Sequence, residues 1–210
     1  MQPHCAVFLS EEAGVPADAG TRGTRRAAGT VRTGKGNRAP AADAVNAEKK
    51  SEEFTMAIER VREYLKKWDV QDRILEFPTS SATVELAAQA AGCEPARIAK
   101  TLSFLVDGQA VLVVAAGDVK VDNAKYKAQF HTKAKMLNAE QVTEMVGHAV
   151  GGVCPFAVND GVRIYLDESL KRFQTVFPAA GSSNSAIEVT IEELETYSGS
   201  REWVDVCKMR

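Results

Sequence analysis

Glycine is concentrated between a predicted helix and a predicted strand, in Gly147-His148-Ala149-Val150-Gly151-Gly152-Val153-Cys154-Pro155-Phe156. Glycine lets backbone amides approach a ligand closely, and proline fixes its own φ angle. A loop of this kind can present N–H groups to a carbonyl, or to the oxyanion that forms when the carbonyl is attacked. This stretch, the glycine loop (residues 147–156), therefore predicts either acyl-group chemistry or a plain connector.

The glycine loop also contains a thiol, Cys154, and an imidazole, His148. A cysteine nucleophile needs a base within hydrogen-bond reach and a third group that orients the base. The sequence does not fix such a geometry, and cysteines beside apolar residues are commonly unreactive. We therefore favour an unreactive Cys154. A thiol hydrolase or peptidase is a separate hypothesis, which inactivation by alkylating reagents would support.

Other side chains could contact a ligand. Lys100 begins an otherwise apolar strand, so its ammonium lies at the end of a sheet, either in a pocket or extended into solvent. Gly181-Ser182-Ser183-Asn184-Ser185, the serine loop (residues 181–185), offers donors and acceptors or forms a solvated turn. A modest basic stretch predicts a solvated helix face or contacts to RNA phosphates. Its members are Lys120, Lys125, Lys127, Lys133 and Lys135.

The cysteines and histidines do not have the short, regular spacing of a zinc site. The four cysteines form no C-x-x-C pair: Cys5, Cys93, Cys154 and Cys207. We expect free thiols in a reducing cytoplasm, because no apolar stretch typical of a secretory signal is present. We also expect neither a metal nor a cofactor.

Charge and hydropathy exclude two classes of protein. The 210 residues include 26 Lys+Arg and 28 Asp+Glu, which gives a formal net charge of -2. This balance excludes a protein held to nucleic acid by a dense basic surface alone, and we expect no DNA partner. Charged residues make up 26% of the chain and no apolar run reaches a spanning length, so we expect no membrane partner.

The first 55 residues differ in composition from the rest. They are rich in Ala, Gly and Arg and show no helical or strand period. We expect residues 1–55 to be a disordered or non-native extension. An amphipathic pattern starts at Met56, and the codons of Glu52-Glu53 can form a ribosome-binding sequence, so we expect translation to begin naturally at Met56. A native protein whose intact mass includes residues 1–55 would contradict this.

The remaining residues, 56–210, form one predicted domain. Helical spacing connects the apolar residues Ile58, Val61, Leu65 and Trp68. A short strand over 74–77 precedes a Thr/Ser cluster at 79–81, which offers N-caps for a helix that ends at Gly92. Apolar runs at 100–106 and 110–115 are joined by Asp107-Gly108-Gln109, the strongest hairpin signal in the chain.

The second half of the domain continues with short elements. A helix is predicted over 122–130, and capping boxes predict helices after Asn138 and after Thr190, the first ending at Gly147. Strands at 156–158 and 162–166, with a turn at 159–161, form a second predicted hairpin. Further strands are predicted at 175–177, 187–189 and 203–206. Short strands without regular β-α-β alternation indicate an α+β fold with a curved mixed β-sheet or barrel and flanking helices.

Three motifs occur in a characteristic order: Lys100-Thr101-Leu102, the pattern G-x-x-x-P over residues 151–155, and Ala180-Gly181 followed by Ala186-Ile187-Glu188-Val189. In this order they resemble the YbaK/ProX/EbsC family of prolyl-tRNA editing domains. The resemblance covers essentially residues 56–208. It implies a barrel-like mixed sheet, a free-standing editor, and hydrolysis of the ester that links a wrong amino acid to tRNA.

Such an aminoacyl-tRNA deacylase is needed because a synthetase pocket separates small side chains by only about 1–3 kcal/mol. The resemblance implies that Lys100 orients the terminal adenosine or the ester, and that amides of residues 151–155 hold the carbonyl. Attack by water, or by the thiol of an attached cysteine, then requires no protein nucleophile. The implied catalytic residues are Lys100, Gly151, Gly152, Val153 and Cys154. The implied substrate-binding residues are Thr101, Pro155, Phe156, Gly181, Ser183 and Asn184.

One position departs from the family pattern. Cysteine-editing relatives carry Asp before an Ile-Glu pair, where this chain has Ala186. Cysteine and alanine on tRNA(Pro) are therefore both open as substrates, and Ser183 and Asn184 are candidates to supply polar groups instead. The net charge of residues 56–210 is -3, from 18 basic and 21 acidic residues, so delivery of the aminoacylated 3′ end by prolyl-tRNA synthetase is expected. The alternative is a non-catalytic module of the same fold that binds a tRNA end or a synthetase.

Overall fold

The computed structural model describes residues 56–78, 83–200 and 202–210. The predicted extension (1–55) and the predicted helix caps (79–81) lie outside these residues. The helices are α1 (residues 56–65), α2 Val84–Ala91, α3 Asn123–Phe130, α4 Ala139–Gln141 and α5 Ile191–Ser198. The strands within the described residues are β1 Ile74–Glu76, β2 Ile98–Val106, β3 Gln109–Ala116, β4 Val119–Val121, β5 Arg163–Asp167, β6 Thr175–Pro178, β7 Ser185–Ile187, β8 Val189–Thr190, β9 Glu202–Val204 and β10 Cys207–Met209.

Six strands form one mixed sheet in the order β8-β6-β2-β3-β5-β9. The β2–β3 and β6–β8 pairs are antiparallel, whereas β2–β6, β3–β5 and β5–β9 are parallel. Two smaller antiparallel pairs join β1 to β7 and β4 to β10. The six-stranded sheet curls into a half-barrel, which confirms the predicted α+β fold with a curved mixed sheet.

The predicted hairpin forms the centre of the sheet. β2 and β3 pair from Ala99–Ala116 to Val106–Gln109. Asp107 and Gly108 take φ angles of 50° and 79°, the left-handed values that a two-residue turn between twisted strands requires. The signal read from Asp107-Gly108 is therefore confirmed.

The predicted helix ends are also largely confirmed. Capping boxes start α4 at Asn138 and α5 at Thr190, and Gly147 ends the π-helical turn Val142–Val146 that continues α4. α2 begins at Thr83, whose hydroxyl accepts the Leu86 N–H. The described cap of α2 thus lies after the predicted Thr/Ser cluster.

The second predicted hairpin is wrong. The segment 156–158 forms no strand, and β5 pairs in parallel with β3 and β9 instead. Side chains, and not a neighbouring strand, bind the backbone carbonyls of this segment. His148 contacts the Phe156 oxygen, and Arg60 donates to the Ala157 oxygen. Ala157 also has a φ angle of 50°, which a strand does not allow.

The last part of the chain contains further differences. The predicted strand over 187–189 divides into β7 and β8 at Glu188, and the final predicted strand is β9, which ends at Val204. β4 and β10 were not predicted, because each is three residues long and pairs only with the other. Such short strands leave no clear period in the sequence.

Candidate functional site

The edge of β2 that faces away from β3 changes its pairing partner midway along the strand. At the start of the strand, Ile98 and Ala99 pair with β6. From Ser103 onwards the partner is the segment 135–137, because Leu137 N–H donates to the Ser103 carbonyl and Leu105 N–H donates to the Lys135 carbonyl. Residues 100–102 lie between these two pairings. This stretch of strand edge, the β2 gap (residues 100–102), falls on the predicted motif Lys100-Thr101-Leu102.

Lys100 lies in a cavity on one face of the β2 gap. Its side chain is 1% exposed, and its Nζ donates to the carbonyls of Gly117, at 3.4 Å, and Val119. The cavity has a volume of about 310 Å³. The residues that line this Lys100 cavity are Lys100, Leu102, Phe104, Lys120, Val121, Asn123, Ala134 and Met136.

The Lys100 cavity combines apolar walls with two cations, Lys100 and Lys120. Its volume is at the lower end of the range for small-molecule sites, which are mostly apolar with a few placed polar groups. Apolar walls suit a flat ring, while ammonium groups suit phosphate or ester oxygens. A pocket at Lys100 is one of the two alternatives that the sequence leaves open, whereas the apolar wall at Ala134 and Met136 has no sequence signal.

The opposite face of the β2–β3 hairpin carries a small apolar cluster that includes one residue of the glycine loop, Val153. Residues directly paired between antiparallel strands point to the same face, so Leu112 shares a face with its partner Ser103 and also with Thr101. Leu112 and Val153 belong to one small apolar cluster, which also includes Leu137. Lys100 points to the other face, because side chains alternate along a strand. Two other residues of the glycine loop, Cys154 and Phe156, belong to the main core together with Leu102 and Phe104, so the loop contributes to both apolar clusters.

The glycine loop and the serine loop are in direct backbone contact. A Cβ atom on Gly152 would lie 2.8 Å from the carbonyl carbon of Gly181 and 3.0 Å from Cα of Ser182. A Cβ atom on Gly181, whose φ angle is 96°, would lie 2.7 Å from the Ala57 carbonyl oxygen of α1. Two predicted loops thus meet, and the first turn of α1 lies directly behind them.

Hydrogen bonds fix the serine loop. Asn184 Nδ2 donates to the Phe77 carbonyl at 2.8 Å, and Asn184 Oδ1 accepts from the Ser182 hydroxyl at 3.0 Å. The Ser182 hydroxyl also lies 2.7 Å from the Ser185 hydroxyl. Asn184 therefore holds its own loop, while Ser183 is partly exposed beside it.

Cys154 and His148 are buried together. Cys154 Sγ lies 3.6 Å from His148 Nε2, and the residues are 0% and 1% exposed. Burial raises the pKa of Cys154 to about 12 and lowers the pKa of His148 to about 4, so neither is ionised at neutral pH. His148 Nε2 is 2.8 Å from the Phe156 carbonyl and must carry the proton it donates there. It cannot also accept the thiol proton, so this geometry does not activate a nucleophile.

Thr101 and the loop amides provide the remaining polar groups near the β2 gap. The Thr101 hydroxyl is buried, and its Oγ1 has no hydrogen-bond partner among the described residues. Within the glycine loop, Gly152 N–H donates to the Ala149 carbonyl at 2.9 Å, and Pro155 has no N–H. The side chains of Pro155 and Phe156 are buried behind the loop.

Two general features complete the description of the site. The part of the chain that the structure describes contains no group of three or more His, Cys, Asp or Glu side chains placed to hold a metal ion. In the same part of the chain, no helix has the length and apolar character to cross a membrane. Its cysteines, Cys93, Cys154 and Cys207, form no disulfide.

Comparison with known proteins agrees with this architecture. The family model described as "Aminoacyl-tRNA editing domain" matches residues 79–197. An uncharacterized protein of Bacillus subtilis (strain 168), YwhH, is 53% identical over 154 residues, which cover 73% of this chain and 98% of the relative. A proline–tRNA ligase of Leuconostoc citreum (strain KM20) is 31% identical over 87 residues, 41% of this chain but only 15% of the ligase.

A solved structure has the same fold. That protein is described as a suggested trans-editing enzyme for prolyl tRNA synthetase. It superposes with a TM-score of 0.67 at 29% identity, covering 72% of this chain and 97% of that one.

Proposed function

The chain belongs to the aminoacyl-tRNA editing domain family, and from this membership we propose that it is a trans-editing deacylase that hydrolyses the ester of mischarged tRNA. The proposed substrate is tRNA(Pro) carrying a small non-cognate amino acid, cysteine or alanine. The similarity to a proline–tRNA ligase and to a suggested prolyl trans-editing enzyme supports the choice of tRNA. Prolyl-tRNA synthetase is the proposed partner that delivers it.

The single observation that carries the proposal is the Lys100 cavity beside the β2 gap. In our proposal the apolar walls take the ring of the terminal adenosine, and Lys120 at the exposed rim meets its phosphate. Lys100 orients the ester oxygens from inside the cavity. Carbonyl groups already hold the Lys100 ammonium in place, so the cation is positioned before a substrate arrives.

The ester then lies at the β2 gap, where its carbonyl faces the glycine loop. Water, or the thiol of an attached cysteine, attacks the carbonyl carbon, the bond to the ribose oxygen breaks, and the proton of the attacking group passes to that oxygen. Attack by water releases the free amino acid, whereas attack by the thiol releases a cyclic thiolactone. Gly152 N–H is already bonded and Pro155 has none, so the proposed oxyanion donors are the amides of Gly151, Val153 and Cys154. The Thr101 hydroxyl is a further proposed contact, because it is buried without a partner among the described residues.

The identity of the amino acid remains a choice between cysteine and alanine. Ala186 is fully buried in β7, where it is opposite Leu75, so this position contributes neither a carboxylate nor open space. An attached cysteine could supply its own thiol as the nucleophile, whereas an attached alanine needs water. Hydrolysis of cysteinyl-tRNA but not of alanyl-tRNA or seryl-tRNA would therefore favour thiol attack.

The test is ester loss from tRNA(Pro) charged separately with cysteine, alanine, serine and proline, using the full chain. We expect rapid loss of cysteine or alanine and retention of proline. Lys100→Met should lower kcat/KM by about 10- to 100-fold, because a charge-assisted contact is lost. Lys66→Met removes an exposed lysine just after α1, outside the predicted basic stretch, and should leave the rate unchanged. Retained tRNA binding without any ester loss would instead indicate the non-catalytic binding module.

A further inference from the structure

Arg60 of α1 connects the two ends of the glycine loop. Its Nη1 donates to the Gly147 carbonyl at 2.8 Å, and its Nη2 donates to the Ala157 carbonyl at 2.9 Å. These carbonyls lie at the start of the loop and just after its end. One guanidinium thus bridges the two ends of a loop that is neither strand nor helix.

Asn159 strengthens the same junction. Its Oδ1 accepts from Arg60 Nη2 at 3.4 Å, and its Nδ2 donates to the Glu144 carbonyl at 3.0 Å. The Asn159 N–H also donates to the Val146 carbonyl at 3.0 Å. A Cβ atom on Gly147 would lie 2.5 Å from Asn159 Oδ1, so the junction is tightly packed.

The same helix also supports the serine loop. The Ala57 carbonyl oxygen would lie 2.7 Å from a Cβ atom on Gly181, which itself touches Gly152. α1 therefore contacts both loops, through its backbone at Ala57 and through a side chain one turn later at Arg60. A guanidinium suits this task because its planar set of donors can hold several carbonyl oxygens at once.

We propose that Arg60 is a positioning residue for deacylation, which holds the two ends of the glycine loop so that its amides face the ester. This inference rests on the proposed function. Arg60 does not line the Lys100 cavity, so it acts on the ester only through the glycine loop. Loss of Arg60 therefore affects the chemical step more than it affects binding of the tRNA end.

The test compares Arg60→Gln and Arg60→Lys with Arg62→Gln in the full chain. Arg62 lies on the same helix and pairs with the exposed carboxylates of Glu59 and Glu76, so it is a matched surface control. We expect Arg60→Gln to lower kcat by about 10-fold or more while KM changes by less than about 2-fold, since misplacement of a reacting group costs rate. Arg60→Lys should recover part of the loss, and Arg62→Gln should equal the wild type.

Amide hydrogen exchange gives a second readout that needs no substrate. We expect residues 148–158 to exchange faster in Arg60→Gln, with no such change in Arg62→Gln and with the exchange of β2 and β3 retained. Unchanged exchange in this segment would overturn the positioning role. Faster exchange with an unchanged kcat would overturn its link to catalysis. A wild-type chain that hydrolyses none of the four esters would overturn the proposed function, and exchange would still report whether Arg60 holds the loop.

Discussion

The Lys100 cavity and the junction of the glycine and serine loops are packed in different ways. In the first region, the cavity face, Lys100 lies among apolar side chains that leave about 310 Å³ open. In the second region, the loop face, a Cβ atom on Gly152 would overlap the backbone of Gly181, and a Cβ atom on Gly181 would overlap the backbone of Ala57. A substitution on the cavity face should therefore affect binding more than folding, whereas a substitution on the loop face should affect folding and the chemical step more than binding.

The largest expected effect is on the loop face, from Gly152→Ala. The new methyl group would meet the backbone of Gly181, which cannot rotate away as a side chain would. We expect the free energy of unfolding to fall by about 3 kcal/mol, the upper end for overpacking, and deacylation to be lost. Denaturant unfolding and ester hydrolysis measure the two effects.

Gly161→Ala separates backbone strain from steric overlap in that prediction. Unlike Gly152, Gly161 has a left-handed φ angle, 86°, and a Cβ atom there would meet nothing within 4 Å. The backbone strain alone should cost about 1 kcal/mol and leave kcat unchanged. Equal losses in the two variants would show that the contact between the loops yields easily, and the difference between the faces would disappear.

The next effect concerns pH and the buried imidazole behind the glycine loop. Burial lowers the pKa of His148 from the ordinary 6.5 to about 4. Between pH 4 and pH 6.5, the imidazole is therefore protonated in the unfolded chain and neutral in the folded chain. The free energy of unfolding should therefore not depend on His148 above pH 6.5. It should decline as the pH falls from 6.5 toward 4, by up to about 3 kcal/mol in total. His148→Gln cannot ionise and should show a smaller slope in this window.

His131→Asn provides the control for the pH profile. His131 is exposed and ends α3 with a left-handed φ angle of 57°, which asparagine tolerates. Thermal or denaturant unfolding between pH 4 and pH 7.5 measures the slope of each variant, and His131→Asn shows how much the loss of an exposed histidine changes it. A His148→Gln slope equal to that of the wild type would contradict the buried, neutral imidazole.

A smaller effect should arise on the cavity face, from Met136→Trp. The indole would occupy part of the Lys100 cavity, so we expect KM for the mischarged tRNA to rise by about 10-fold, as expected when a ligand contact of one to two kcal/mol is lost. Stability should change little, because Met136 is already 49% exposed. Leu86→Trp, at another apolar side chain that is 49% exposed, should change neither quantity. An unchanged KM in Met136→Trp would remove the cavity from the proposed binding site.

The sequence predicts best those parts of the fold whose signals are local. Asp107-Gly108 supplies the left-handed φ angles of the central turn, and the capping boxes close on residues three positions apart. The same kind of signal at residues 159–161 predicts a hairpin that does not form. The Ala157 carbonyl there binds the side chain of Arg60, which lies 97 residues earlier in the chain. A local sequence pattern cannot indicate such a distant contact.

The candidate site divides in the same way. Glycine content identifies both loops, and the period of two places Lys100 and Thr101 on opposite faces of their strand. The sequence does not reveal what covers each face, and the resemblance implied only that Lys100 and the amides of residues 151–155 contact the same substrate. The contact between Gly152 and Gly181 depends on the return of β6 beside β2, which is a property of the sheet order.

The smallest expected effect concerns the thiol of the glycine loop. Cys154 is fully buried with a pKa raised to about 12, so iodoacetamide should leave kcat unchanged and label the partly exposed Cys93 before Cys154. Cys154→Ala keeps the backbone N–H that the proposed oxyanion contact uses, so it should retain kcat while losing about 1 kcal/mol of stability from the small cavity. Peptide mass mapping and ester hydrolysis measure these outcomes. Inactivation by both treatments would instead support a thiol hydrolase, because the side chain and not the amide of residue 154 would then carry the reaction.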